Sequence, residues 1–473
     1  MSLNKNVLAV ALVGAMAAGS ASAADLSAAG GAVPAWFAKE IIATPTAKAT
    51  LNTSASAATR LSWDINYNFS DNEVRYVRLQ CSDNIEFDTA TSVTTSNAGT
   101  ALGAVNGLGT NVLTFSVTSD PTGADPVLGT DTFTVSGNHD ITSTDQNVTC
   151  SVGLYDQPSQ AQAGGTTGLI QNTSFSGAYL SFAPSYELVV TPTTHIADVE
   201  ADPSFSDFVV DANTTIDTAS LGNGTLAYRL RDPDGAAGAQ TATFGVNGAP
   251  VTLGTMLAAG TTIVVAGDYT VAANAAAPLY TGAALARANL GGFIAASMSA
   301  NSATFNVGNT GFAASKMDLI RRAGTLIPAA EYTATLDVVA AAPTVYRVAD
   351  ITGVKLGEIV RNGTELQAPL AQIPNGWLSR LVLTNTGSQA RPYTIRVMTE
   401  EGVTVSTGTL SGTVPANGTK VIDDLSTVFS GNNRATLVVN VAGPTNQIQG
   451  LYQVVNPDKG SVSNHVLVRP GSN

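Results

Sequence analysis

Three histidines, two cysteines and a scatter of carboxylates are the side chains in this sequence best suited to metal binding or acid–base work. Gly137-Asn138-His139-Asp140 sets an amide beside an imidazole, a pairing able to ligate part of a two-metal centre. Such a centre needs several further His and Asp ligands in spaced motifs. The remaining histidines, His195 and His465, each stand alone in Thr/Ser-rich stretches. The expected role of the tetrapeptide is therefore a hairpin turn after the Thr132 to Val135 strand. No Gly-x-Ser-x-Gly is present to activate a serine. Two carboxylates alone suffice to cleave a glycoside, but the aromatics that line sugar clefts are only 6% of the chain, with tryptophan at 36, 63 and 377. Trp63 lies on an alternating, core-facing run. The residues thus predict no catalytic group and no enzyme.

The four residues at 137 to 140 are similar to the Gly-Asn-His-Asp element of metallophosphoesterases, and the missing partner ligands set that resemblance aside. Acidic turns are the better lead to a cation. Ser70-Asp71-Asn72-Glu73 and Asp232-Pro233-Asp234-Gly235 each gather oxygen atoms within one turn, so Asp71, Asp232 and Asp234 are the candidate calcium ligands. Neither an EF-hand loop nor a Gly-Gly-x-Gly-x-Asp repeat accompanies them, and ordinary turn chemistry accounts for both segments.

Residues 1–23 read as a signal peptide: Lys5 supplies a positive n-region, Val7 to Ala18 is apolar but too short to span a bilayer, and Ala21-Ser22-Ala23 suits a signal peptidase. Beyond it no stretch is apolar enough for a membrane span. Export makes the cysteines interpretable, because thiols pair in an oxidising compartment. Cys81 shares one face with Val77 and Leu79, and Cys150 with Val148, Val152 and Leu154, so both sulfurs point inward and a Cys81–Cys150 disulfide is expected. In the chain-entropy account such a loop stabilises by about 4 kcal/mol, confined to the first domain.

These residues must be carried by strands. Leu61 to Phe69, Leu113 to Val117 and Leu226 to Leu230 alternate apolar and polar, and clusters such as Asp120-Pro121-Thr122-Gly123 and Pro415-Ala416-Asn417-Gly418 separate such runs. The fold class predicted is mainly β: tandem antiparallel β-sandwich domains, with a helix-containing insertion in the middle unit at Thr281 to Met298 and Ser315 to Arg322. Val189-Val190 and Val338-Val339 open a degenerate repeat at an offset of 149 residues, each leading to Pro-Thr and then Ala-Asp. The expected organisation is a segment over 24–45, a disulfide-bearing sandwich over 46–195, a β-rich domain over 196–346 and a sandwich over 347–473. In the last, Leu381 and Leu383, Tyr393 to Val397, Leu437 and Val439, and Leu451 to Val455 form strand-like blocks, with a helical turn within Asp423 to Phe429. That spacing resembles the immunoglobulin-like modules of bacterial surface proteins.

Composition narrows the class. The 473 residues hold 22 basic and 35 acidic side chains, and removing Lys5 makes the net charge −14. There is no basic stripe for a nucleic acid. Low pI, scarce Cys, Met and His, and abundant Ala, Thr, Ser, Gly and Val in β-domains behind a signal peptide resemble the surface-layer proteins of Gram-negative bacteria. The reading preferred is a secreted structural subunit that self-assembles into a bacterial surface layer or extracellular fibre, and the resemblance implies that it is held on the outer cell surface to lipopolysaccharide or another surface glycan, helped by calcium. The rival reading from the same composition is a cell-surface adhesin or carbohydrate-binding protein. N-terminal sequencing of secreted protein is expected to begin at Ala24, and a start at Met1 or Ser2 would refute the assignment.

Overall fold

The computed structural model describes residues 24–211, 214–233 and 242–469. The expected signal peptide lies outside the described residues. Strands make up 47% of the described residues and helices 6%, so the fold is mainly β. Among the described residues no helix is long and apolar enough to cross a membrane.

Alternation dictates the first unit. Val77, Leu79 and Cys81 on Val74–Cys81 and Val148, Cys150, Val152 and Leu154 on Val148–Tyr155 all face inward and are buried. A six-stranded sheet runs in the order Ala35–Ala38, Phe175–Ala183, Val148–Tyr155, Val74–Cys81, Val112–Thr118, Ala101–Leu102. Two smaller sheets share its core: Ala24–Asp25, Leu61–Asp64, Thr132–Ser136, Ser92–Thr95, and Ala49–Asn52, Asn138–Ile141, Ile85–Phe87. Residues 24–45 are thus woven into both larger sheets. Cys81 and Cys150 sit directly opposite each other on neighbouring antiparallel strands, Cα to Cα 4.0 Å, and are joined as a disulfide. The strand expected from Leu61 to Phe69 stops at Asp64, because Asn66 turns into the left-handed region at φ 49°; Ile65 and Phe69 still reach the core.

The middle unit has two layers. One sheet is ordered Tyr186–Val189, Thr218–Leu230, Phe312–Ile320, Ala288–Leu290, Phe293–Ile294, and the other Thr193–Ala197, Ile351–Arg361, Ala330–Asp337, Thr262–Ala266, Ser302–Asn306, Ser297–Met298. These sheets run across the joints placed at 195/196 and 346/347. Pro192 and Pro343 read as linker residues, yet each only connects strands within the sandwich, and the segments following the two near-repeats, Thr193–Ala197 and Ile351–Arg361, lie side by side in parallel. The expected helices are corrected too. Only Gly282–Arg287 is helical, as a 3-10 segment, while Phe312–Ile320 is a strand that buries Met317 and Leu319 two residues apart. Gly291 and Gly292, at φ 57° and 98°, supply the two-residue turn that pairs Leu290 with Phe293 and excludes a helix there.

The last unit packs Thr364–Gln372, Arg434–Val441, Arg391–Met398, Ser411–Val414 against Gly418–Ile422, Leu378–Asn385, Ile448–Asn456, Ser461–Val466 around a core of its own. The helical turn is present as Leu425–Thr427. Arg391, buried at its N-terminal end, reaches back to the middle unit: its guanidinium donates to Val199 O at 2.8 Å, to Ser204 Oγ at 3.0 Å and to Glu200 Oε2 at 3.1 Å.

The hairpin expected at Gly137 to Asp140 is not a turn. Phe133, Val135, His139 and Ile141 stay in phase, all buried, while the chain crosses from Thr132–Ser136 in one sheet to Asn138–Ile141 in another. Gly137, at φ 137°, forms the crossing, where a Cβ would stand 2.5 Å from Ala90 O. His139 is therefore a core residue. Its Nε2 lies 3.1 Å from both Thr53 Oγ1 and Tyr179 Oη, and burial lowers its pKa to about 4. The unfolded chain takes up a proton near pH 6.5 that the fold refuses until about pH 4, so stability is complete above pH 6.5 and falls as pH drops through that window. The loss is on the order of 3 kcal/mol at pH 4. His195, whose pKa burial also lowers, adds a slope of the same sign. Urea unfolding of His139→Gln between pH 7 and pH 4 is expected to show a shallower pH dependence than the parent; equal slopes would assign the effect elsewhere.

Candidate assembly surface

The turn Pro457 to Gly460 builds the site. Asn456 Oδ1 accepts from the backbone N–H groups of Asp458 and Lys459, both at 3.1 Å, and Gly460 takes φ 63°, so the chain doubles back as Ser461–Val466. Among the described residues this strand pairs only with Ile448–Asn456, and all six of its residues are exposed. Its far edge leaves backbone donors and acceptors open, with no charged side chain among its six residues.

On one side of that strand the sheet carries apolar rows in strict register. Val421, Val382, Leu451 and Val466 stand opposite one another across all four strands, and Leu378, Val455 and Val462 form a second row across three. A polar row, Arg380, Gln453 and Asn464, runs between them, with Gln453 Nε2 donating to Asn464 Oδ1 at 2.8 Å. Val466 is 79% exposed and Val462 54%, far from what a packed core position shows. On the other side His465 stacks on Tyr452 with ring centres 5.7 Å apart and accompanies a groove of 650 Å³ lined by Pro369, Leu370, Trp377 and Leu467. Tyr452 Oη donates to Gln372 O at 2.8 Å, and burial raises its pKa. A strand with one open edge, an apolar ladder and an apolar groove can accept another strand or bury another surface; it holds no acid–base pair.

The residues singled out from sequence lie elsewhere. Asp71 sits in the turn before Val74–Cys81, its carboxylate lodged against Gly123, and Asp232 follows Thr218–Leu230 in the middle unit. Asp234 lies outside the described residues. Among the described residues no three His, Cys, Asp or Glu side chains are placed to share a metal ion. His195 Nδ1 lies 2.8 Å from Thr214 Oγ1 and its Nε2 3.1 Å from Ser220 O, which leaves the ring engaged in the core. Trp63 is buried and stacked on Phe133. The disulfide holds the first unit, remote in sequence from the open edge. Sequence reasoning missed Ser461–Val466 altogether, although Val462 and Val466 after Asn-Pro-Asp-Lys-Gly carried the signal of a turn and a returning strand.

Comparison with known proteins bears on what such a surface is for. Residues 76–459, most of the chain, match the family described as S-layer protein Slr4. No curated protein matches. Among solved structures, the pilus backbone (RrgB) from Streptococcus pneumoniae is 8% identical over 86% of this chain and 84% of that one; its TM-score of 0.13 leaves it without weight.

Because the ladder valines touch solvent and not core, replacing both Val462 and Val466 by Thr is expected to change the unfolding free energy of the isolated chain by no more than about 0.5 kcal/mol. Leu437→Ala, at a fully buried position of the same unit, is expected to cost about 2–5 kcal/mol. Urea unfolding measures both, and a core-sized loss from the valine pair would make the ladder part of the fold.

Proposed function

The chain belongs to the S-layer protein Slr4 family, and from that premise we propose that it is a secreted subunit that associates with copies of itself into a continuous layer on the outer surface of a Gram-negative cell. Family membership makes it a surface-layer protein at the cell surface; the mode of export, the self-association and the cell type are our reading. The observation that carries it is the exposed strand Ser461–Val466, free of Asp, Glu, Lys and Arg, with its ladder of valines. Soluble monomers blunt such edges with charge, proline or a covering loop, whereas an assembling subunit keeps them for its neighbours. Retention through lipopolysaccharide belongs to the same proposal, on the resemblance described above.

A structural role also suits the ionisable groups. Two of the three histidines are fixed in cores by hydrogen bonds to hydroxyls and a carbonyl, and so are not poised for proton transfer. Purified protein beginning at Ala24 is expected to form ordered sheets or filaments in negative-stain electron microscopy, with no substrate turned over. A strictly monomeric species in sedimentation at high concentration, with saturable binding to one glycan, would replace this reading by an adhesin. Saturable hydrolysis abolished by a single carboxylate substitution would replace both by an enzyme.

A further inference from the structure

The two ends of the molecule differ in charge. Residues 24–183, the first unit, carry 14 Asp and Glu against 5 Lys and Arg, a net charge of −9. Residues 364–469, the last unit, carry 6 against 7, a net charge of +1. Two copies meeting through their last units therefore gain no long-range attraction, and two meeting through their first units repel each other. A last unit meeting a first unit is the pairing that electrostatics steers.

Geometry offers a counterpart at the acidic end. Ser92–Thr95 ends the sheet that holds Thr132–Ser136, pairs with nothing else among the described residues, and carries no charge along its four positions. The other edges of the first unit are shorter or partly occupied: Ala101–Leu102 spans two residues, the Asn52 N–H donates to Val246 O, and the Ala38 N–H to Phe244 O. Within Ser92–Thr95 the residues alternate between exposed and half-buried, with Val93 on the half-buried face.

The geometry points to a head-to-tail contact in which Ser461–Val466 of one copy pairs, edge to edge, with Ser92–Thr95 of a second copy. The two sheets then run on as one, and Lys459 at the turn meets the acidic unit. The contact is heterologous: it uses different patches on the two copies, so a bound pair still presents one free strand at each of its ends, and association propagates in place of closing at a dimer. This inference rests on the self-assembling subunit proposed above and names the surface through which it assembles.

Cysteine placement tests it, because the chain's own two cysteines are joined to each other. Thr94→Cys and Ser463→Cys are both at exposed positions, and unchanged circular dichroism and melting confirm that each variant folds. Full-length mature variants are treated with a short bis-maleimide, which tolerates a residue or two of register. Mixing the two single variants is expected to give a cross-linked dimer; each alone is expected to stay monomeric on a denaturing gel, and the double variant to give a ladder. Raising the ionic strength is expected to slow formation of the mixed dimer several-fold. Dimers from Ser463→Cys alone would overturn the head-to-tail contact in favour of a two-fold one. Ordered sheets in the electron microscope without any cross-link would overturn it while leaving the subunit reading intact, and absence of any assembly would remove both.

Discussion

Every sheet ends in two rows of N–H and C=O groups that need partners, and how those rows are satisfied governs this molecule more than any single side chain does. Several edges are covered from within. Phe244 bridges to Phe37 along Ala35–Ala38, Val209 donates to Ile196 O at the edge of Thr193–Ala197, and Gln367 and Val468 exchange both backbone hydrogen bonds beside Thr364–Gln372, which also contains Pro369. Gly418–Ile422 carries Lys420. Ser461–Val466 and Ser92–Thr95 have no such cover along their outer edges among the described residues, and the functional reading follows from them.

The same demand explains the low charge. A chain with 12% charged residues has few ion pairs to draw on, and many of its polar groups are tied down by hydroxyl-to-backbone bonds. Thr53, for example, both donates to Gly137 O and accepts from the Gly137 N–H at the strand crossing, with His139 packed behind. The buried His139 and His195 belong to that same economy of hydroxyls.

Much of the fold was legible because strand periodicity is local. The inward faces of Val74–Cys81 and Val148–Tyr155 follow from alternation, as do the blocks of the last unit, and the disulfide follows once the expected export is added. What was not legible depended on partners far away in sequence. Gly-Asn-His-Asp has turn chemistry, and only the sheets on either side make it a strand that changes sheets. Ala-rich 281–298 has helical propensity, which sheet pairing and the Gly291-Gly292 turn override. The joints were misplaced because a proline between two strands looks the same whether those strands share a sandwich or not. Of the assembly surface, the residues could be read but not their exposure, since Val462 and Val466 are spaced like any core-facing pair.

Arg391 has a mechanical meaning. Swinging the last unit away from the middle one would strip a buried guanidinium of its bonds to Val199, Ser204 and Glu200, and separating a buried cation from its partners costs on the order of 3 kcal/mol. The joint therefore resists bending through one side chain, well inside the molecule and away from either outer edge. A fabric woven from such subunits would owe its flatness to the rigidity of each thread and not to the strength of its knots.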